Sequence, residues 1–255
     1  MKSNKLTILF ILSVFLLLGC KNNNNNTILY QKNAKLKQIS LVESIESDKI
    51  MYIISEYEYD ELGRISKVSS PSYKDGNIQG TLSYDIYIYD NKNLLKKIVK
   101  YNANLYAGFL NLETEIYIYD DNGNKLKLAI EYPQINKTDS IFYFYDNNRL
   151  VRENKYDGFS KKIIAYTEYE YNNQGELVKE ADYSMGENDT PIRITKHSYQ
   201  NGLNVKTEIF TYSNNEKIRE INRFYDNNDN LIYLDSRELS IYSSAMSYVT
   251  KYEYY

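Results

Sequence analysis

The chain has no tryptophan, one cysteine, one histidine and three prolines among 255 residues. A single cysteine, Cys20, excludes a disulfide within the chain. A single histidine, His197, favours a packed ring over a catalytic or metal-binding group, because such a site needs partners. Nucleophile-elbow, phosphate-loop and dinucleotide-binding glycine patterns are also absent. These absences predict a chain that is not an enzyme, with no catalytic residue, no cofactor and no metal site.

The one long apolar run lies at residues 6–18, after Lys2 and Lys5. Its length is below the roughly 20 residues of a membrane-spanning helix, so the pattern predicts a secretion signal over residues 1–19. The end of the run, Leu17-Leu18-Gly19-Cys20, resembles the bacterial lipoprotein signal. The resemblance implies cleavage after Gly19 and acyl chains, palmitate among them, on Cys20. We therefore expect the protein on a membrane of the bacterial cell envelope, namely the outer membrane, facing either the periplasm or the cell surface.

The polar run over residues 20–27, rich in asparagine, predicts a flexible tether after the anchor. The formal net charge is −3, and the basic residues form no block. An acidic chain of this kind is a poor ligand for nucleic acid, so we predict no nucleic-acid partner. The predicted contact with the membrane is the lipid anchor alone.

A motif of the form Tyr-x-Tyr followed by a polar turn recurs along the rest of the chain. The second tyrosines are spaced by 26 to 30 residues, which indicates an internal repeat. A degenerate first copy and a last half-copy extend the series at its two ends. The registered tyrosines, which we predict to form the repeat core, are Tyr30, Tyr59, Tyr89, Tyr119, Tyr145, Tyr171, Tyr199, Tyr225 and Tyr254.

Each repeat has the pattern of a β-hairpin. Alternating tyrosine and β-branched or aromatic residues favour a strand, an Asp/Asn/Gly cluster favours a turn, and an aliphatic-basic pair such as Leu95-Lys96 begins the return strand. We predict one all-β domain over residues 28–255, an antiparallel hairpin meander of about eight units of ~28 residues. So many strands exceed what an open sheet tolerates, so the sheet is expected to be strongly twisted, coiled or partly closed.

In the three middle copies the strand is apolar on both faces. Such strands are either covered by another segment, for which residues 102–115 are the candidate, or they expose an apolar patch that binds a partner. The residues of this possible binding face are Ile86, Ile88, Ile116, Ile118, Phe142 and Phe144.

The stretch "YEYDELGRISKV", residues 57–68, resembles the YD repeat of the bacterial RHS-type family. Gly63, Gly123, Gly175 and Gly202 match the turn glycine of that repeat, and Arg64 matches the arginine that follows it. In that family the repeats form hairpins that spiral into a shell. The resemblance implies a β-hairpin fold, a surface context and a binding or scaffold role without catalysis.

These observations predict a lipid-anchored envelope protein that binds an unknown protein or polysaccharide through its β-repeat sheet. One alternative is a hydrolase with two carboxylates, such as a glycosidase, although acids in hairpin turns mostly serve the turn. The other is an outer-membrane barrel. Charged residues within candidate strands, such as Glu58, Glu168, Glu170 and Lys251, disfavour it, because one strand face would have to meet lipid.

Overall fold

The structure is a computed structural model that describes residues 34–74, 76–104, 108–186, 190–212, 215–239 and 247–255. The predicted signal, Gly19, Cys20, the tether and Tyr30 lie outside these residues. Within the described ranges, no helix has the length and apolarity needed to cross a bilayer.

The described chain consists almost entirely of β-strands, with one 3₁₀ turn at Pro133–Ile135. The strands are β1 Leu36–Val42, β2 Ile50–Tyr59, β3 Ile65–Lys74, β4 Asn77–Tyr89, β5 Leu95–Asn104, β6 Gly108–Tyr119, β7 Lys125–Tyr132, β8 Lys137–Asp146, β9 Arg149–Asp157, β10 Lys162–Tyr171, β11 Leu177–Ser184, β12 Pro191–Gln200, β13 Leu203–Thr211, β14 Lys217–Tyr225, β15 Leu231–Glu238 and β16 Ser247–Tyr254.

Consecutive strands pair antiparallel around a closed barrel, and β16 pairs with β1 to complete it. This arrangement confirms the predicted all-β hairpin meander, and the sheet closes fully. Closure leaves neither end strand with an unpaired edge, which an open meander of this length would expose to aggregation.

The barrel contains eight equivalent hairpin units. In most units the second tyrosine faces the first residue of the return strand, as Tyr59 faces Ile65 and Tyr89 faces Leu95, and the register then shifts by one residue at a β-bulge. Tyr145 and Tyr199 instead face the second residue of the return strand, Leu150 and Asn204. At the closure Tyr254 of β16 faces Leu36 of β1 with a shift at the same place. The first and last described strands, β1 and β16, therefore build the eighth unit together. The sequence alone counts Tyr30 as a first copy, but Tyr254 occupies the position opposite Leu36.

The turns between the tyrosine strand and the return strand confirm the predicted role of their acidic and amide residues. One side-chain oxygen of Asp90 accepts hydrogen bonds from the backbone N–H groups of Lys92 and Leu94, and Asp120 binds Asn122 and Asn124 in the same way. The Asp120 carboxylate therefore accepts its hydrogen bonds within its own turn.

The two faces of each strand differ in exposure. On the outward face the side chains of Glu58 and Glu170 are 61% and 60% exposed. On the inward face Ser55, Tyr252 and Arg223 are buried, and the repeat tyrosines share this face. A compact apolar cluster of Ile39, Leu231, Leu234 and Tyr252 lies inside the closure, where β15, β16 and β1 meet.

The second tyrosine of a unit links that unit to the one before it. The Tyr59 hydroxyl donates a hydrogen bond of 2.7 Å to the Leu36 carbonyl, and Tyr119 donates one of 2.7 Å to the Leu95 carbonyl. The same bond recurs from Tyr89, Tyr171, Tyr225 and Tyr254 to the carbonyls of Ile65, Leu150, Asn204 and Leu231. These hydroxyls join neighbouring hairpins, and the bonds of Tyr59 and Tyr254 continue the series on both sides of the closure.

Candidate binding surfaces of the barrel

The outer wall carries charges across its whole width. Glu58 forms an ion pair with Lys67 at 2.8 Å, and Glu170 forms one with Lys179 at 2.6 Å. Further charged side chains of the outward register lie at Arg152 and Glu168 on β9 and β10, Glu208 and Glu220 on β13 and β14, and Lys251 on β16. A lipid-facing wall would have to bury such charges, each at a cost of about 2–4 kcal/mol for Lys or Arg near the bilayer midplane.

The residues predicted as a possible binding face lie on this outer wall, on β4, β6 and β8. Ile88 is 42% exposed, Ile118 47%, Phe142 36% and Phe144 46%. Ile86 and Ile116 share the face and are partly buried. The described residues of the segment 102–115 continue β5 and β6 and do not cover these side chains, so the expected cover by that segment is wrong.

We call this surface the isoleucine patch: Ile86, Ile88, Ile116, Ile118, Phe142 and Phe144 together with the exposed Leu126. Two lysines lie within it. Lys97 sits between Ile88 and Ile116 in the strand register, and Lys127 sits between Ile118 and Phe142 with its Nζ 5.4 Å from the Phe142 ring centre. The patch is therefore apolar and basic.

The inner wall carries a belt formed by the first tyrosine of each unit. Burial raises the pKa of Tyr87 and Tyr117 and raises that of Tyr252 to about 12. These phenols stay neutral at every physiological pH. The members of the belt are Tyr57, Tyr87, Tyr117, Tyr143, Tyr169 and Tyr252, and His197 and Arg223 stand at the two remaining positions.

A chain of polar side chains runs along the inner wall from β11 to β14. His197 is 8% exposed, and its Nε2 lies 2.7 Å from the Glu180 carboxylate while its Nδ1 lies 3.0 Å from the Thr207 hydroxyl. The Arg223 Nη1 donates hydrogen bonds to Thr207 Oγ1 at 2.8 Å and to Asn204 Oδ1 at 3.1 Å. The expected packed histidine is thus a buried ring with both nitrogens bonded.

Glu180, His197 and Thr207 place a carboxylate, an imidazole and a hydroxyl in a row, the order found in nucleophilic relays. Thr207 is only 3% exposed, and its oxygen already accepts a hydrogen bond from Arg223. The row is buried and links β11, β12 and β13 of the inner wall.

A second charged group lies inside the barrel on β4, β5 and β6. The Lys100 ammonium forms ion pairs with Glu115 and, at 2.7 Å, with Glu113. Burial, reinforced by these two carboxylates and opposed by Lys100, raises the pKa of Asp85 to about 6. Asp85 is a third carboxylate beside a single lysine, and this excess of acid destabilises its ionised form.

Replacement of this carboxylate should stabilise the protein above pH 6. Because the folded pKa of about 6 exceeds the unfolded value of about 3.9, the Asp85 contribution to stability falls as the pH rises from 4 to 6. We expect Asp85→Asn to raise the free energy of unfolding by about 1–2 kcal/mol at pH 7.5, after allowance for partial exposure, and to leave it unchanged at pH 4. Urea unfolding at both pH values measures this, with Glu58→Gln on the outer wall as the control. An equal effect at both pH values would contradict it.

The described residues contain no group of three or more His, Cys, Asp or Glu side chains placed to hold a metal ion. On the inner wall Glu115 bonds to Lys100 and Tyr117, Asp182 to Thr167, and Glu180 to His197.

Comparison with known proteins gives structural matches only. No protein-family model matches the chain, and no curated protein matches it. The chain is similar in fold to a porin-like protein from Bacteroides uniformis ATCC 8492, with a TM-score of 0.54 and 13% identity over 86% of this chain and 98% of that one. That likeness shows a shared barrel fold.

Two further matches are more distant. A porin-like protein from Bacteroides vulgatus ATCC 8482 has a TM-score of 0.40 and 10% identity over 86% of this chain and 98% of that one. A chain of the TcdB2–TccC3 complex has a TM-score of 0.33 and 12% identity, and it matches 84% of this chain but only 13% of its own length. The resemblance to YD repeats therefore stays a prediction from the sequence.

Sequence reasoning located the isoleucine patch and missed the inner polar chain. The strand pattern marks Arg223 as a departure from the tyrosine belt, but Asn204 and Thr207 lie 19 and 16 residues away in the sequence. Only the pairing of β12, β13 and β14 brings them together.

Proposed function

We propose that the protein is a lipid-anchored protein of the bacterial cell envelope whose barrel stands in water and binds a partner without catalysis. The anchor rests on the signal and Cys20. The placement in water rests on the charged outer wall, because that wall offers lipid no continuous apolar band.

The observation that carries the binding role is the exposed isoleucine patch. The patch is mainly aliphatic, with four isoleucines and a leucine against two phenylalanines, and it carries two lysines. It therefore suits a partner protein that presents apolar and acidic side chains better than a polysaccharide, because sugars stack on flat aromatic faces. Exposed apolar patches of this kind commonly mark interaction sites.

The test for the partner uses a photo-crosslinking amino acid at Ile118 in cells, with the same probe at Ser198 on the outer face of β12 as the matched control. We expect a crosslinked protein from position 118 and none from position 198. With the probe still at position 118, the combined variant Ile88→Ser/Phe144→Ser should keep its thermal midpoint and lose this product, since both side chains are exposed in the folded state. Retention of every partner by a folded variant would disprove the binding role.

The placement in water has its own test. A chain that begins at residue 21, without signal or lipid, is expected to remain soluble and folded without detergent, with the strand content measured by circular dichroism. If it instead requires detergent and inserts into liposomes, the outer-membrane barrel becomes the correct alternative.

A further inference from the structure

The two ends of the barrel differ in the residues of their connections. Where a tyrosine strand turns into its return strand, the seven turns are rich in Asp, Asn and Gly, and Leu62 is the one large apolar side chain exposed within them among the described residues. At the opposite end, each of the eight connections exposes a large apolar side chain, either within the connection or at the first two positions of the strand that follows. We call this set the apolar rim: Ile50, Met51, Ile78, Phe109, Ile135, Phe159, Met185, Tyr212 and Leu239.

The apolar rim follows the whole circumference of this end of the barrel. Single exposed apolar residues are normal on a protein surface, but their recurrence at all eight connections is a property of this end. The side chains of the rim are 40–66% exposed. Large side chains in this number and at about half exposure offer on the order of 800 Å², which is about the area that each partner buries in an interface of standard size.

The most exposed member of the rim is held in place by its turn. Phe159 lies in the β9–β10 turn, where the backbone N–H of Gly158 donates a hydrogen bond of 2.8 Å to the Asp139 carboxylate. The Lys137 ammonium lies 2.8 Å from the carboxylates of both Asp139 and Asp157. A Cβ on Gly158 would lie 2.2 Å from a backbone oxygen of β8, so this close packing requires glycine. The turn therefore presents Phe159 in a fixed position, and docking of this ring costs little conformational entropy.

We propose that the apolar rim docks against the apolar rim of a second copy of this chain, which gives a dimer of two barrels end to end with Phe159 as an anchor of the contact. A two-fold axis perpendicular to the barrel axis lays one ring of apolar connections on the other, and such an isologous contact closes on itself. The ring suits this symmetry because apolar connections recur around all of it. The isoleucine patch lies on the outer wall and stays outside this contact.

The path of the chain favours a second copy over a membrane as the occupant of the rim. β1 begins at Leu36, which faces Tyr254, so the predicted tether leaves the barrel at the end away from the rim. Treated as a flexible chain, residues 20–34 have a root-mean-square reach of about 20 Å, less than the roughly 33 Å length of a ten-residue strand such as β2. With the lipid anchor of the proposed function, on which this step rests, the rim points away from the anchoring membrane.

An end-to-end pair also accommodates two anchors. Its two tethers leave from the two outer ends of the dimer, so a pair that lies along the membrane has both of them beside it. Sixteen strands about 4.8 Å apart give a barrel roughly 25–30 Å across, so the barrel axis lies within the reach of the tether from the membrane.

The test in cells places a photo-crosslinking amino acid at Ile135 of the full chain, co-expressed as two copies with different tags. We expect a product that contains both tags and has the mass of two chains. The matched control is the same probe at Leu62, which is 70% exposed at the opposite end and should give no such product. Phe159→Ser should lower the yield from position 135 at least about tenfold, because loss of an anchor side chain weakens a contact by that factor or more. Leu62→Ser should leave this yield unchanged.

Sedimentation of the chain that begins at residue 21, which contains all sixteen strands, gives the same comparison in solution. We expect a monomer–dimer equilibrium whose dissociation constant rises at least about tenfold in Phe159→Ser, with an unchanged thermal midpoint. Met185→Ser, at another connection and also exposed, is the second variant if the first does not fold.

Two results would overturn the dimer. One is a chain that stays monomeric at all concentrations, including a monomer that co-sediments with phosphatidylcholine liposomes, since the rim would then face lipid. The other is a two-copy product that persists in Phe159→Ser but disappears in Ile88→Ser/Phe144→Ser. That product would place the second copy on the isoleucine patch, so the proposed binding role would stand while the rim contact would fail.

Discussion

Deletion of residues 247–255 is expected to abolish cooperative folding of the barrel. This segment contains β16, which pairs with both β15 and β1, so its loss exposes two strand edges at once. It also removes Tyr252 from the apolar cluster at the closure and exposes Leu231 and Leu234 there. Loss of one large core side chain alone costs about 3–5 kcal/mol, and two lost strand pairings add to this, against a total stability of about 5–15 kcal/mol.

Thermal unfolding followed by circular dichroism and limited proteolysis of the truncated chain check this expectation. Deletion of Tyr255 alone is the control: that side chain is 73% exposed, and its removal costs mainly one backbone hydrogen bond of 2.9 Å to the Lys35 carbonyl. A synthetic peptide of residues 247–255 should restore protease resistance to the truncated chain. An unchanged thermal midpoint after truncation would show that the closure does not hold the barrel together.

Loss of the tyrosine hydroxyls that link neighbouring units should destabilise the barrel in proportion to their number. Tyr119→Phe removes the bond to the Leu95 carbonyl and is expected to lower the free energy of unfolding by about 1–2 kcal/mol. Tyr225→Phe removes the equivalent bond to Asn204. Because the two sites lie on β6 and β14, the losses in the double variant should add to about 2–4 kcal/mol.

Tyr87→Phe serves as the matched control for these variants. Tyr87 belongs to the belt and is partly buried, and no hydrogen bond of its hydroxyl occurs among the described residues, so its removal should change the free energy of unfolding by less than about 0.5 kcal/mol. Urea unfolding midpoints with a constant m-value measure all four proteins. If Tyr87→Phe costs as much as Tyr119→Phe, ring packing and not the hydroxyl bond explains the repeated tyrosine.

The repeat made most of the fold predictable from the sequence. Strand phase, turn position and hairpin order all follow from local pattern, because each tyrosine strand and its turn lie within about a dozen residues of each other. The full closure was not predictable in this way. Tyr254 faces Leu36 because β16 pairs with β1. These two strands are so far apart in sequence that no local pattern indicates their pairing.

The candidate surfaces were predictable to different degrees. The isoleucine patch follows from an apolar residue between two tyrosines, which is a local signal of a strand apolar on both faces. The inner polar chain depends on the pairing of three strands, because Arg223 meets Asn204 and Thr207, which lie 19 and 16 residues away in the sequence.

Because β16 and β1 pair in the same register as the strands of the other units, the barrel could be circularly permuted. Lys35 and Tyr255 lie side by side, joined by a backbone hydrogen bond, in the place where other units have a short turn. A peptide link between these ends would replace that bond, and any of the other turns between a tyrosine strand and its return strand could then be opened in exchange. The barrel thus has eight equivalent pairs of a tyrosine strand and its return strand. A turn connects the two strands in seven of these pairs, and only β16 and β1 are held together without a peptide link.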